Sequence, residues 1–314
     1  MEYTFLKNSD IKVSRLSIGG DPMGGHAWGD TDDKELMDAV NVAVDNGITL
    51  FDTADIYGIG HAETLLGKAL GNRRKDVIIA SKFGVRKDEG AINTYYDNSP
   101  EWIEKAIVGS LKRLGTDYLD VYQLHWRDGK TPVSDIVETL RRLKKKGYIR
   151  YFGLSNVTLK DLEELLPFKG EFVSFQNQYS LACRDYEKEI FFLSNELNLT
   201  PMTWGSLGQG ILSGKYGKDV IFASGDRRSR STYPNFHGEK LLKNLRIVDK
   251  MREIDQSSYQ KGLPAIAIRF ILDYLKDSVV IVGVKRPQQV IGNCKAAGWK
   301  LSEQHINELE EISK

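Results

Sequence analysis

The chain has 314 residues, 41% of them hydrophobic and 28% charged, with 44 Lys and Arg against 43 Asp and Glu. Because these charges nearly cancel, partnership with nucleic acid or with an anionic membrane surface is not expected. Only Cys183 and Cys294 are present, which argues against a disulfide framework and favours a reducing compartment. The absence of a leader-like start and of a long apolar window predicts a soluble, cytoplasmic protein.

The length of the chain bounds its architecture. A chain of 314 residues is too long for an ordinary two-layer domain and fits one α/β barrel of about 250 residues with additional elements. No linker, low-complexity stretch or internal repeat divides the sequence. We therefore expect a single barrel domain over residues 1–314.

Short apolar runs alternate with amphipathic segments along the chain. Eight of these runs have strand character: residues 15–18, 49–51, 77–79, 119–124, 151–154, 172–175, 200–203 and 279–282. Regular alternation of strands and helices predicts a parallel sheet, and closure into a barrel is the natural arrangement of eight strands. The predicted fold class is therefore α/β, a (β/α)8 TIM barrel.

Helix-boundary residues flank several of the amphipathic segments. A polar residue before proline predicts an N-cap with proline at the first helical position, and glycine after the last turn predicts a helix end. The helices bounded in this way cover residues 33–46 (Asp32 or Asp33 to Gly47), 100–114 (Ser99-Pro100 to Gly115) and 132–146 (Thr131-Pro132 to Gly147).

Three further segments lie outside the regular alternation. Residues 3–14 predict a β-hairpin that caps the bottom of the barrel, and residues 301–314 predict an extra C-terminal helix. Residues 206–239 form a long segment rich in Gly, Ser and Arg after the seventh strand. A connection of this length in a compact domain is typical of a functional flap or a disordered insertion.

Polar side chains follow three of the predicted strands at the point where each strand ends. Asp52 and Tyr57 follow the second strand, Lys82 the third and His125 the fourth. Parallel barrels carry their chemistry at this end, so these four side chains are expected to meet. A lysine ammonium can stabilise a tyrosinate and lower the tyrosine pKa, while an imidazole orients a carbonyl oxygen. Such a set can protonate an alkoxide as hydride reduces a carbonyl group.

Each of these residues also has another interpretation when it is taken alone. Asp52 could cap the end of its strand, and Lys82 could form a Schiff base as in a barrel aldolase. The presence of Tyr57 and His125 in matching positions favours the proton-donating set.

These residues and several other segments resemble the aldo-keto reductase family, which binds NADPH on a TIM barrel. The family's catalytic tetrad falls on Asp52, Tyr57, Lys82 and His125, and its signature Asp-x-Ala-x-x-Tyr-Gly falls on residues 52–58. The other matching segments are residues 13–20, 153–156, 175–180, 206–216 and 301–302. The resemblance therefore covers almost the whole chain and implies a bacterial-type member with a short C-terminus.

The resemblance also implies a set of cofactor contacts. Ser155, Asn156 and Gln176 would bind the nicotinamide carboxamide, and Trp204 would stack on the nicotinamide ring where the family usually has Tyr. The pyrophosphate would lie against Leu207, Gln209 and Lys215, and the adenosine end against Gly283, Lys285, Arg286, Gln289 and Asn293.

The residues expected at the adenosine end predict which coenzyme the protein prefers. Lys285 and Arg286 precede Pro287 and a new helix, so two cations and a helix N-terminus face one place. This arrangement favours a ribose 2′-phosphate and therefore NADPH over NADH. The family often has Glu before Asn293, where this chain has Gly292, and we expect a weaker adenine contact. No metal is expected, because His26, His61, His237 and His305 lack ligand spacing.

The leading functional hypothesis is an oxidoreductase that reduces an aldehyde or ketone, with Tyr57 as general acid and a small-molecule carbonyl as its partner. Trp28 and Trp126, which follow the first and fourth strands, are candidate substrate-pocket residues. One alternative is a coenzyme-binding regulatory protein with slow turnover, similar to the β subunits of potassium channels. Another is oxidation of a sugar or inositol hydroxyl. The substrate and the oligomeric state stay open.

Overall fold

The computed structural model describes residues 1–25 and 27–314, so His26 lies outside the described residues. Its strands, in chain order, are β1 (Tyr3–Phe5), β2 (Lys12–Ser14), β3 (Leu16–Gly19), β4 (Leu50–Asp52), β5 (Ile78–Phe83), β6 (Val85–Arg86), β7 (Tyr95–Tyr96), β8 (Leu119–Leu124), β9 (Ile149–Ser155), β10 (Phe172–Gln178), β11 (Thr200–Trp204) and β12 (Val279–Gly283). Eight of these described strands close into a parallel barrel in the order β3, β4, β5, β8, β9, β10, β11, β12 and back to β3. The predicted (β/α)8 TIM barrel is confirmed.

Helices surround the barrel and cover the outer face of its strands. They are α1 (Asp33–Asp45), α2 (His61–Leu70), α3 (Pro100–Leu114), α4 (Val133–Lys145), α5 (Leu162–Leu165), α6 (Glu187–Glu196), α7 (Gly238–Ile254), α8 (Leu263–Tyr274), α9 (Pro287–Cys294) and α10 (Glu303–Ser313). The helices α9 and α10 follow the last barrel strand, in agreement with the predicted C-terminal extension by helix. No helix in the described ranges has both the length and the apolar character needed to cross a bilayer.

The lower half of the barrel lumen is apolar. Inward-facing side chains of the barrel strands, among them Leu50, Ala80 and Val121, pack in one cluster with Leu6 and Ile11 of the hairpin segment. Because strand side chains alternate between faces, the inward residues one layer higher are Asp52, Lys82 and Gln123. The hairpin β1–β2 therefore closes the bottom of the barrel, as predicted, and the polar layer lies at the mouth.

The predicted helix starts were correct at two places and wrong at one. Asp32 accepts a hydrogen bond from the Glu35 amide at the start of α1, and Ser99 accepts one from the Trp102 amide at the start of α3. Thr131 does not cap α4, which begins at Val133 with Pro132 in the cap position. Thr131 lies one residue before the cap position, and its hydroxyl donates to the Asp128 carboxylate at 2.7 Å.

Two connections shape the mouth of the barrel. The predicted flap, residues 206–239, contains three short 3-10 turns and reaches across to the loop after β3, where the Arg227 amide donates to the Ala27 carbonyl at 2.9 Å. The connection between β5 and α3 folds into the small antiparallel hairpin β6–β7, which the sequence did not indicate. This second hairpin places Tyr96 beside Trp126, with ring centroids 5.9 Å apart.

Candidate active site

Four residues from the ends of three strands meet at the mouth of the barrel, as the sequence predicted. Lys82 is 1% exposed, and its Nζ donates to Asp52 Oδ1 at 2.5 Å and to the Thr53 carbonyl at 2.9 Å. The third contact of Nζ is the Tyr57 hydroxyl, at 3.3 Å. The His125 ring lies edge-on to the Tyr57 ring, with centroids 5.8 Å apart. A buried ion pair therefore holds an ammonium beside a phenol.

Two buried amides complete the surroundings of Asp52. Gln123 Nε2 donates to Asp52 Oδ2 at 3.0 Å, and Gln176 Nε2 donates to the same oxygen at 2.5 Å. Gln176 Nε2 also donates to Gln123 Oε1 at 2.8 Å. The sequence prediction named Gln176 but missed Gln123. The available signal was the polar side chain of Gln123 near the end of a buried strand, in register with Lys82.

The electrostatics of Tyr57 differ from the sequence-based expectation. Lys82 does favour the tyrosinate, but burial of the hydroxyl outweighs it and raises the Tyr57 pKa to about 12. Burial alone would lower the Lys82 pKa, but Asp52 and Tyr57 more than offset it, so that the Lys82 pKa is raised. Near neutral pH the site therefore holds a protonated phenol beside an ammonium.

His125 is uncharged in this setting. Burial, and then the positive charge of Lys82, holds the His125 pKa well below its usual range. Its Nδ1 is buried and has no hydrogen-bond partner among the described residues. A buried N–H without an acceptor is costly, so the proton is favoured on Nε2, where the ring can donate to a ligand.

The four residues expected to hold the nicotinamide lie together next to this set. Asn156 Nδ2 donates to the His125 carbonyl at 3.0 Å and to Ser155 Oγ at 3.1 Å, while Asn156 Oδ1 accepts from Trp204 Nε1 at 3.2 Å. Ser155 and Gln176 are register partners on β9 and β10. Asn156 thus links Ser155, Trp204 and the His125 carbonyl in one hydrogen-bonded surface beside the tetrad.

The residues expected at the pyrophosphate follow β11. Leu207 is half-buried, Gln209 has a left-handed backbone with φ 55°, and Lys215 is exposed with Nζ 5.0 Å from the Tyr216 ring centroid. Gln209 Oε1 accepts a hydrogen bond from Asn235 at 2.5 Å. The flap therefore holds Gln209 in place, while the Lys215 ammonium stays accessible.

The residues expected at the adenosine end lie at the start of α9. Gln289 Oε1 accepts from the amides of Lys285 and Arg286, at 2.6 and 3.2 Å, and caps the helix. The Lys285 ammonium donates to the Trp28 carbonyl, and Arg286 Nε lies 3.0 Å from Glu35 on α1. The remaining predicted residues are placed by β12 and α9: Gly283 is exposed at the strand end, Gly292 is half-buried and Asn293 is buried.

The two predicted substrate-pocket tryptophans lie on different sides of the mouth. Trp28 Nε1 donates to Asp21 at 2.9 Å, and its ring meets Tyr233 of the flap edge-on at 5.8 Å. Trp126 follows His125 directly and stacks on Tyr96 with an interplanar angle of 13°. Both tryptophans are half-buried and lie outside the apolar core clusters.

Comparison with known proteins identifies the class of this site. The model of the aldo/keto reductase family matches residues 15–314. The chain belongs to the aldo/keto reductase family. As a member of this family it is an NAD(P)H-dependent oxidoreductase.

Several individual proteins are similar to this aldo/keto reductase over nearly its whole length. An NADH-specific methylglyoxal reductase of Escherichia coli (strain K12) is 31% identical, with 98% of this chain and 97% of the relative covered. A glycerol dehydrogenase from Gluconobacter oxydans has a TM-score of 0.88 at 30% identity, covering 99% of this chain and 94% of the other. An aldo-keto reductase from Klebsiella pneumoniae in complex with NADPH has a TM-score of 0.75 at 25% identity, covering 100% and 96%.

The polar groups of the reductase fit a nicotinamide carboxamide. Such a group needs acceptors for its amide and a donor for its carbonyl. No described residue donates to Gln176 Oε1, and Asn156 Oδ1 keeps one lone pair beyond its bond to Trp204. Ser155 Oγ accepts from Asn156, which leaves its own hydrogen free to donate. The predicted absence of a metal stays a prediction; the described ranges contain no cluster of three or more His, Cys, Asp or Glu side chains that could hold one.

A second group of acids lies behind the catalytic strands of the reductase. Ser81 Oγ and Arg113 Nε donate to the two oxygens of buried Glu63, at 2.5 and 2.6 Å. Asp55 Oδ1 and the Tyr122 hydroxyl are buried nearby, without a hydrogen-bond partner among the described residues. Burial, and then the charge of Glu63, raises the Asp55 pKa to about 8.

Asp55→Asn should remove a pH dependence of stability. Because the Asp55 pKa is raised from 3.8 in the unfolded chain to about 8, the folded protein holds one more proton between these values. The free energy of unfolding should therefore fall as pH rises from about 4 to about 8 and be level above. At about pH 9 the variant should be more stable by about 1–3 kcal/mol. Urea unfolding across this pH range measures the effect.

Asp76→Asn is the matched control, because Asp76 is an exposed carboxylate outside the acid group. It should leave the pH slope of the wild type unchanged. An Asp55→Asn protein that keeps the wild-type slope would show that another group is responsible.

Proposed function

We propose that this reductase converts an aldehyde or ketone to the alcohol with NADPH, and that Tyr57 is the general acid. The observation that carries the proposal is the position of the Tyr57 hydroxyl, 3.3 Å from the ammonium of a buried Lys82–Asp52 pair and beside the neutral ring of His125. When bound, the nicotinamide supplies the hydride that the carbonyl carbon accepts.

The protein's own groups handle the oxygen and its proton. His125 Nε2 donates a hydrogen bond to the carbonyl oxygen and orients it toward Tyr57. As negative charge grows on that oxygen, Tyr57 gives up its proton and the O–H bond of the alcohol forms. The phenolate that results lies beside the Lys82 ammonium, which stabilises it until Tyr57 regains a proton from solvent. Asp52 holds Lys82 in place, and Gln123 and Gln176 hold Asp52.

The test is steady-state oxidation of NADPH, with NADH in parallel, across a panel of aldehydes, ketones, keto-sugars and dicarbonyls. Turnover with at least one carbonyl supports the proposal. Tight binding of NADPH with no turnover of any carbonyl or alcohol would contradict it and favour the regulatory alternative, similar to potassium-channel β subunits.

Alcohol oxidation is a second candidate for the physiological direction. It is favoured by the similarity to the glycerol dehydrogenase, at 30% identity and a TM-score of 0.88. The same residues serve both directions, with Tyr57 accepting the proton of the alcohol instead of donating it. Parallel assays with NADP+ and polyols, at matched concentrations, compare kcat/KM for the two directions.

The choice of NADPH over NADH is proposed to depend on Arg286. Arg286 pairs with Glu35 at 3.0 Å, but the two side chains are 64% and 45% exposed, so the pair is weak and a 2′-phosphate would compete for the guanidinium. We expect Glu35→Gln to tighten NADPH binding about threefold and Arg286→Gln to weaken it about tenfold. Binding of NADH should change less than about twofold in both variants.

Quenching of tryptophan fluorescence by each coenzyme measures these dissociation constants. Lys34→Met, one residue before Glu35 and paired with Asp38, is the control for a general change of surface charge. Equal effects on NADPH and NADH in either variant would show that the 2′-phosphate lies elsewhere.

A further inference from the structure

We infer that Gln123 and Gln176 form an amide bridge that couples the nicotinamide-binding surface to the Asp52–Lys82 pair, with Gln123 as a positioning residue. The inference rests on the proposed function, because it assigns the coenzyme's carboxamide to the surface beside Gln176. It adds a residue, Gln123, that contacts neither the coenzyme nor the carbonyl.

The bridge crosses the barrel just below its mouth. Gln123 lies on β8 in register with Lys82 on one side and with Gly153 of β9 on the other, and Gln176 lies on β10, the next strand, in register with Ser155. A Cβ at Gly153 would lie 2.9 Å from Ser174 Oγ and 3.3 Å from Gln123 Cγ. The missing side chain on β9 thus leaves the space through which the two amides meet.

The charge of Asp52 fixes how both amides are turned. Each glutamine must present Nε2 to the carboxylate, because an amide oxygen against Asp52 Oδ2 would be repelled. Gln123 then has its Oε1 free for Gln176, and the bond between them measures 2.8 Å. Both hydrogens of Gln176 Nε2 are now used, so Gln176 can offer the coenzyme only its Oε1.

A carboxamide hydrogen bonded to Gln176 Oε1 would therefore be linked through one side chain to the Asp52 carboxylate. Hydrogen bonds in such a chain polarise one another in a buried setting. Gln123, Gln176 and Asp52 are all less than 5% exposed. Binding of the nicotinamide should thus strengthen the hydrogen bonds that the two glutamines donate to Asp52. Loss of Gln123 should let the Gln176 amide turn away from both Asp52 and the carboxamide.

The first test is Gln123→Leu, which keeps the volume approximately and removes both hydrogen bonds. The dissociation constant for NADPH should rise about fivefold and kcat should fall about tenfold, while KM for the carbonyl changes less than about twofold. Ser174→Ala is the control: Ser174 is buried on β10, faces the same gap and has no hydrogen-bond partner among the described residues. It should stay within about twofold of wild type on every parameter.

The second test is Gln123→Glu, which separates positioning from packing. The introduced carboxyl group, when protonated, donates to Asp52 and accepts from Gln176 as the amide does; when ionised, it repels Asp52. The ratio of variant to wild-type kcat should therefore rise as pH falls from about 8 to about 6. A residue that only fills space would give a constant ratio.

The outcomes for the bridge and for the proposed function are distinguishable. A wild-type protein that binds NADPH but turns over no substrate overturns the proposed function, while NADPH affinity still reports on the bridge. An unchanged NADPH dissociation constant in Gln123→Leu, equal to that of Ser174→Ala, overturns the bridge whatever the activity. A ratio of Gln123→Glu to wild-type kcat that does not change with pH also overturns the bridge. Urea unfolding of each variant identifies any variant that fails to fold. The other Gln123 variant then decides whether the bridge exists.

Discussion

Tyr57→Phe should lower kcat for carbonyl reduction about a thousandfold, because it removes the proton donor and leaves the rest of the site in place. The Tyr57 hydroxyl has Lys82 as its hydrogen-bond donor, at 3.3 Å, and Lys82 keeps its bonds to Asp52 and to the Thr53 carbonyl when that hydroxyl is lost. The dissociation constant for NADPH should therefore stay within about twofold of wild type.

Steady-state kinetics with the best carbonyl from the panel, together with a fluorescence titration of NADPH, measures the two quantities. Burial raises the Tyr57 pKa to about 12, so the phenol stays protonated and wild-type kcat for reduction should be level between about pH 6 and pH 8. Retention of more than about a tenth of kcat by Tyr57→Phe would assign the proton to another donor.

Lys82→Met should be the most damaging single change to both activity and stability. The substitution leaves the Asp52 carboxylate buried without its counter-charge, and breaking a buried pair in this way costs about 3–5 kcal/mol of unfolding free energy. It also removes the charge that stabilises the phenolate of Tyr57, so kcat should fall by about a thousandfold or more. Urea unfolding and steady-state kinetics check the two effects separately.

The double variant Asp52→Asn with Lys82→Met separates stability from catalysis. It removes both charges of the pair, so most of the lost stability should return while kcat stays at the low level of Lys82→Met. A double variant that recovers kcat together with stability would mean that Lys82 acts only by supporting the fold. A Lys82→Met protein as stable as wild type would mean that the carboxylate is not held as the distances indicate.

The barrel could be predicted from the sequence because its strands are short apolar runs, several of which end in polar residues. The run at 119–124 became β8 with the same bounds, and the run at 77–79 became β5, which extends to Phe83. The extension of β5 has a simple cause: Ser81 and Lys82 are polar, but both are buried by specific partners, Glu63 and Asp52. The polar strand ends that form the site are therefore the parts of the strands that the apolar pattern predicts least well.

Other features depend on contacts between segments that are distant in sequence. The Gln123–Gln176 bond joins residues 53 positions apart, and the Arg286–Glu35 pair joins residues 251 apart. Neither pairing follows from periodicity or from a local signal. The cap of α4 likewise differs from the predicted one, since Pro132 and not Thr131 occupies the cap position. The resemblance to a family located the tetrad, but the contacts around it required the folded chain.

Transfer of deuterium from NADPH labelled at C4 of the nicotinamide tests the central claim most directly. The protein, the labelled coenzyme and one aldehyde from the panel are mixed, and the alcohol is analysed by mass spectrometry and NMR. We expect one deuteron on the former carbonyl carbon in the wild type and loss of that product in Tyr57→Phe, with the coenzyme still bound. Unlabelled alcohol, or labelled alcohol formed equally well by Tyr57→Phe, would contradict it.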